Sequence, residues 1–383
     1  MTTGALLNAF DTEWIGVIHE QTPKYLSGYM DETIRNRIVL AYLRKYGRIK
    51  LGANSPLCIW NVKFDQQPIE SANDSGTLNY SRHDLQRQAA LDWRGYVGTD
   101  MLTEKEYLMN QGPGAILQRY AEIIPSLMES LTDHFGGQVY IDGNASGNEN
   151  KIHGLESFMT TGGTNVVTDI VMQPSDSYAG LSTALANQGG TWSADYADGA
   201  GVAPNDALGS DWPAGSGDVK YDFFSPLLVN WSSSSWGTGA QTWEANSERC
   251  IRQTHIWQVH RAGMRNKPKV ALMSQDMYAG YLNGQESKQR IIIPHRESQQ
   301  LGFADAINQE GLALQHDFEV APETAYLFSP EACELSSLDK VLFGYRGPDY
   351  SMRDRAYLFY VGFWGNMRFR PKHFAKIKNF VAS

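Results

Sequence analysis

The nearest approach to a ligand-binding pattern in this chain runs from Asp142 to His153. Asp142, Asn144, Ser146, Gly147 and Asn148 match the first oxygen ligands and the turn glycine of an EF-hand calcium loop. His153 stands where a bidentate glutamate is needed, and Glu149 fills the usually apolar eighth position. Val139-Tyr-Ile141 reads as a strand, so no entering helix precedes this segment, which reads as a strand-to-strand turn. His255 and His260 are five apart and diverge around a helix, a spacing that suits packing and not zinc. Asp84 with Asp92, and Glu104 with Glu106, are the residue types of acid–base chemistry, but such pairs read as solvated charge. There is no phosphate-binding loop and no nucleophile-elbow serine. The expectation is therefore no catalytic residue, no metal site and no cofactor. Trp192, Trp212, Trp231 and Trp236 punctuate a Gly- and Ser-rich stretch over 189–240. Their rings either stack on sugars or, more simply, anchor surface loops.

The elements that position these residues are more telling. From Pro56 to Phe64 the side chains alternate, with Cys58, Trp60, Val62 and Phe64 on one face and Asn61, Lys63 and Asp65 on the other. A polar tip over Glu70–Thr77 and a return through Leu78 to Val97 complete a long hairpin. A two-stranded ribbon of that length is marginal in water, and nothing near it in sequence can cover it. Cover from another polypeptide is expected. Thr22-Pro23 starts an amphipathic arm helix carrying Leu26, Met30, Ile34, Ile38, Ala41 and Tyr42 up to Gly47. Thr103 with Glu106 opens another helical region, interrupted at Gln111–Gly114. Ile116, Leu117, Tyr120, Ile123, Ile124, Leu127, Met128 and Leu131 then form an apolar stripe, bent at Pro125 and ended by Gly136-Gly137. Thr242 caps a further helix, and strands are expected at 269–274, 290–294 and 324–328, with a short helix at 276–283. Tyr357 to Trp364 is apolar on both faces, as in a buried central strand continuing through Met367 and Phe369.

The chain has 383 residues, 42% of them hydrophobic and 20% charged, enough for two domains, or one domain with large excursions, and a real core. No apolar run approaches a membrane span, and Met1–Phe10 lacks the basic stretch of a secretory signal. Cys58, Cys250 and Cys333 are odd in number and far apart, which suits free thiols in a reducing cytosol. Net charge is −9, yet residues 31–50 and 355–383 each carry six bases and together only two acids. The remainder has 21 bases against 40 acids, a net of −19. Basic ends on an acidic body suit contacts between subunits.

The order of parts, together with Tyr140-Ile-Asp-Gly143, Ile152-His-Gly-Leu155, Gly302-Phe303 and Phe318–Tyr326, resembles the major capsid proteins of tailed bacteriophages, the Hong Kong 97 coat-protein fold. The resemblance implies an α+β chain with four parts. These are an N-terminal arm (1–50), an extended β-hairpin loop (51–102), a peripheral domain with spine helix and sheet (103–160 and 340–383), and an axial domain (161–339) with the 189–240 insertion. It implies hexamers and pentamers of an icosahedral head, assembled in the host bacterial cytoplasm around weakly contacted double-stranded DNA, with scaffolding, portal and decoration proteins as partners and no membrane. Inter-subunit contacts are expected at Cys58, Trp60, Val62, Phe64, Glu70, Asp74, Arg82, Arg87, Arg368, Arg370 and Lys372. No lysine lies between Lys63 and Lys105, so the covalent lysine–asparagine weld of some family members is not expected. The arm helix begins by Thr22, which implies a separate scaffold or earlier processing. A carbohydrate-active hydrolase and a phage tail-tube component are the alternatives.

Overall fold

The computed structural model describes residues 37–63, 69, 80, 82, 85–109, 113–161, 170–172, 174–183, 224–286, 295 and 306–380. The first part of the arm helix, Phe64, Glu70 and Asp74 of the ribbon, Trp192, Trp212 and the expected strand 290–294 lie outside them.

Helix α1 (Ile38–Lys45) leads through β1 (Ile49–Lys50) into the ribbon, β2 (Cys58–Lys63) and β3 (Gln86–Leu91). Next come β4 (Arg94–Thr103), α2 (Glu104–Met109) and the long α3 (Pro113–Gln138). Three short strands, β5 (Val171–Met172), β6 (Ser177–Tyr178) and β7 (Leu181–Ser182), precede β8 (Leu227–Asn230). They are followed by α4 (Trp243–Ala262), β9 (Val270–Met273) and α5 (Gln275–Glu286). The last strands are β10 (Ile307–Gln309), β11 (Leu312–His316), β12 (Thr324–Phe328), β13 (Cys333–Ser337), β14 (Gly344–Ser351), β15 (Ala356–Phe369) and β16 (Phe374–Lys378).

The apolar stripe of α3 packs as its spacing predicts: Ile123, Ile124, Met128, Leu131 and Phe135 are buried. Pro125 lies inside the continuous helix. Gly136 and Gly137 do not end it; the helix runs through both to Gln138. Gly136 lies close against a neighbouring side chain instead. A methyl group there would run into the guanidinium of Arg37, which bridges Asp133 (3.3 Å) and Glu319 (3.0 Å). Val139–Ile141 is a turn and not the expected strand, with the amides of Tyr140 and Ile141 bonded back to Gly137 and Gln138. Its residues are apolar because the turn is buried, with the Tyr140 hydroxyl donating to Asp317 at 2.6 Å. At α2 the Thr103 and Glu106 side chains each accept the other's backbone amide, the reciprocal cap expected there. Thr242 does precede α4, but its hydroxyl makes no capping bond.

Two sheets organise the rest. In the five-stranded sheet β15 pairs along Ala356–Gly365 with β4, and on its other side with β14 and then β13, which carries β1. Odd-numbered residues of β15 (Phe359, Val361, Phe363, Met367, Phe369) are buried. Leu358 and Trp364, on the other face, are exposed. The strand is central as expected, but its Leu358–Trp364 stretch is covered mainly on one side, where α3 backs the sheet tip. The seven-stranded sheet has the order β10-β11-β9-β12-β16-β8-β5. Its strands β8, β9 and β12 are buried at every residue. One side joins the core shared with the five-stranded sheet; α4 and α5 cover the other.

After the passage from β4 to β5, the chain crosses between the sheets twice more, through one-turn 3-10 helices at Pro330–Ala332 and Pro371–His373. Thus β13, within 161–339, belongs to the five-stranded sheet, and β16, within 340–383, to the seven-stranded one. No helix among the described residues is long and apolar enough to cross a membrane.

Candidate functional site

The ribbon's alternation is as read from the sequence: Cys58, Trp60 and Val62 face inward, Ile59, Asn61 and Lys63 outward. Its rungs run from Cys58–Leu91 to Lys63–Gln86. The cover, however, comes from the chain itself. Tyr178 sits under the root with its ring 6.0 Å from that of Trp60, and the rings of His153, Phe158, Phe224 and Phe369 surround it. Its hydroxyl donates to Met367 O (2.8 Å) and accepts from Phe369 N (3.1 Å). The β6–β7 hairpin that holds it turns through Ala179 and Gly180, both at positive φ, and Ala179 O accepts from Ala90 N of the ribbon. The root thus has cover within its own chain, complete for Cys58 and partial for Trp60 and Val62. Sequence reasoning missed it because Tyr178 and Phe369 are far away along the chain. Arg87, opposite Val62, is exposed, and so is Arg82.

Beside this root lies a cleft of about 280 Å³. Arg48 and Lys50 from one basic segment and Arg368 and Arg370 from the other line it, with Trp60, Asn61, Glu331 and Glu334. Lys50 (3.0 Å) and Arg368 share Glu334, while Glu331 is held by Lys269 at 2.7 Å. The Arg368 guanidinium lies 5.9 Å from the Trp60 ring centre. Four cations thus meet two acids, one already engaged from outside. Partial burial and the positive charges of Arg368, Arg48 and Arg370 push the Lys50 ammonium pKa down. Burial raises the Cys58 thiol against the pull of Arg368 and Lys50. Such a place favours an incoming carboxylate or phosphate. Of the three C-terminal cations named as contact residues, Arg368 and Arg370 line the cleft; Lys372 lies outside it, its carbonyl accepting from Gln258.

The calcium-like loop is occupied by protein. Arg94 Nη1 donates to the carbonyls of Gly143 (2.7 Å), Lys151 (2.7 Å) and Asn148 (3.2 Å), supplying the positive charge at their focus. Asn144 donates to Ser157 O and Ser177 O, and His153 is buried against Asn366. A helix, α3, precedes the loop after all. Among the described residues no group of three or more His, Cys, Asp or Glu could hold a metal ion. Burial lowers the His255 pKa. Trp231 and Trp236 are buried, the latter donating to Asn230 O at 2.9 Å, so neither offers a sugar-stacking face. All three cysteines are free and buried.

No family model and no curated protein matches the sequence. Solved structures do match. The capsid of the native GTA particle is 9% identical with a TM-score of 0.52, covering 88% of this chain and 89% of that one. The empty GTA particle gives the same values. The capsid of cyanophage A-1(L) is 11% identical at a TM-score of 0.48, covering 87% and 90%. The chain thus has the mixed helix-and-sheet, α+β fold of the Hong Kong 97-type capsid structures, matched over 88% of this chain and 89% of the GTA capsid chain.

Proposed function

We propose that this chain is a major capsid protein whose copies form the hexamers and pentamers of an icosahedral bacteriophage head enclosing double-stranded DNA. The observation that carries the reading is the fold match over 88% of this chain and 89% of the GTA capsid chain. The seven-stranded sheet with α4 and α5 is the axial part in this reading, and α3 with the five-stranded sheet is the peripheral part. In this reading the segment between Lys63 and Gln86, the last rung of the ribbon, contacts a neighbour. Its acidic tip, with Glu70 and Asp74, meets the cations of the cleft: Arg368 and Arg370, joined by Arg48 and Lys50. Exposed ion pairs contribute only about 0–1 kcal/mol each, so apolar burial supplies cohesion and charge sets register. Without a lysine between Lys63 and Lys105 the shell is held non-covalently. DNA is contacted weakly, since an acidic wall does not bind polyanions tightly. No catalytic residue is assigned. Scaffolding, portal and decoration proteins complete the particle, which assembles in the host cytoplasm.

Electron microscopy of the purified full chain tests the reading. Closed shells are expected; open tubes would favour a tail component, and persistent monomers would remove the capsid reading.

A further inference from the structure

The charged cleft beside the ribbon root holds more positive charge than its own carboxylates neutralise. Lys50 of β1 stands opposite Ser336, and Arg368 of β15 opposite Glu334, so both rise from one face of the sheet on either side of β13. Arg48 and Arg370, two positions away along the chain, share that face. Their backbones are fixed to β13 as well. Arg48 O accepts from Leu335 N at 3.0 Å, and Arg370 N donates to Ala332 O at 3.1 Å.

Both carboxylates are already committed. Glu334 binds Lys50 (3.0 Å) and Arg368 and accepts from Ser336 Oγ at 3.3 Å. Glu331 is held from outside by Lys269. The Arg48 and Arg370 guanidinium groups make no ion pair or hydrogen bond among the described residues. Four cations against two carboxylates leave the lining at +2. A single carboxylate would balance half of that charge. A phosphate monoester brings about −1.5 to −2 near pH 7 and three strong acceptor oxygens, which guanidinium forks can bind in pairs. At about 280 Å³ the cleft is at the small end of ligand pockets, roughly 300–1,000 Å³, a size for a compact anion.

We infer that the cleft is a binding site for a phosphate dianion, either free orthophosphate or the phosphate of a small monoester. Arg48 and Arg370 are its main partners. Lys50 and Arg368 add the N–H donors that Glu334 leaves free, since a lysine has three and an arginine five. Every one of these residues belongs to one subunit, so the site stands apart from the capsid reading.

Calorimetric titration of full-chain subunits tests it, at an ionic strength held constant with chloride. Orthophosphate and a nucleoside monophosphate are the probes. Saturable one-to-one binding is expected, and the tighter probe identifies the source of the phosphate. Arg48→Gln combined with Arg370→Gln should weaken binding at least tenfold; Lys372→Gln, outside the cleft, should change it less than twofold. Glu334→Gln raises the lining to +3 and should tighten binding several-fold, a gain that misfolding does not give. Absence of saturable binding by either probe, or wild-type affinity in the double variant, would overturn the site. Equal affinity for acetate, or for the internal phosphodiester of a dinucleotide, would overturn its assignment to a dianion.

Discussion

At the root of the ribbon, Cys58, Trp60 and Val62 turn inward onto Tyr178, Phe369 and Arg368 of the same chain. Along the far half of β15, Leu358, Tyr360 and Trp364 turn outward beside β4, and Leu358 and Trp364 stay exposed. Both regions show the period-two alternation of a strand with one apolar face. The root is covered because the β6–β7 hairpin places Tyr178 beneath it. The outward face of β15 has no such hairpin among the described residues. Alternation therefore identifies which side of a strand wants cover, and not which chain provides it. Between the two regions sits Asn366, buried under His153, where the molecule covers the same sheet face itself.

Breaking this contrast at its extreme means removing the ribbon end. Deletion of residues 66–78 is expected to leave folded, soluble subunits that do not close shells, seen by sedimentation and electron microscopy. Normal-sized shells from that deletion would show that the ribbon's cover is entirely internal. A milder probe compares the regions directly. Tyr178→Ala removes a fully buried ring at the root and should destabilise the isolated subunit by about 3–5 kcal/mol in denaturant unfolding. Trp364→Ala, on the outward face of β15, should cost the isolated subunit less than about 1 kcal/mol. Similar losses of subunit stability would erase the distinction.

His153 sharpens the comparison from between the two. Burial, with Arg94 nearby, holds its imidazole at about 4 against 6.5 when unfolded. The folded protein keeps it neutral, so the unfolded chain binds the extra proton first. Stability from this group is full above pH 6.5 and falls as pH drops towards 4, by on the order of 3 kcal/mol. Unfolding free energies measured across that window should lose this slope in His153→Gln; an unchanged slope would assign the dependence elsewhere. The smallest effect belongs to the cleft. Arg370→Gln should leave subunit folding unchanged and weaken assembly by less than about 1 kcal/mol per contact, more at low salt than at high. A large, salt-independent loss would mean that charge and not apolar burial provides cohesion.

Much of the architecture was legible because it is local. The stripe of α3, the alternation of β2, the apolar run of β15 and the cap at Thr103 and Glu106 all follow from side-chain periods within a few residues; the return of the hairpin, expected up to Val97, ends instead at Leu91, since β4 pairs with β15. The two basic segments were visible too, but their convergence was not, since Arg48 and Arg368 meet only because β1 and β15 flank β13. Val139–Ile141 misled because a buried turn and a buried strand need the same apolar residues. The EF-hand-like loop, read from the sequence as a turn without metal, keeps its oxygen-rich pattern for a related reason: backbone carbonyls attract any cation of suitable position, and Arg94 arrives from another strand.

By itself, then, the order of amino acids determined which stretches are helical or extended, which of their faces are apolar, and where positive charge accumulates. Only the tertiary structure decided which of those faces the chain closes on itself. Ribbon root, charged cleft and the outward face of β15 are distinguished by contacts between residues more than a hundred positions apart. Local periodicity carries no information about pairings at that separation.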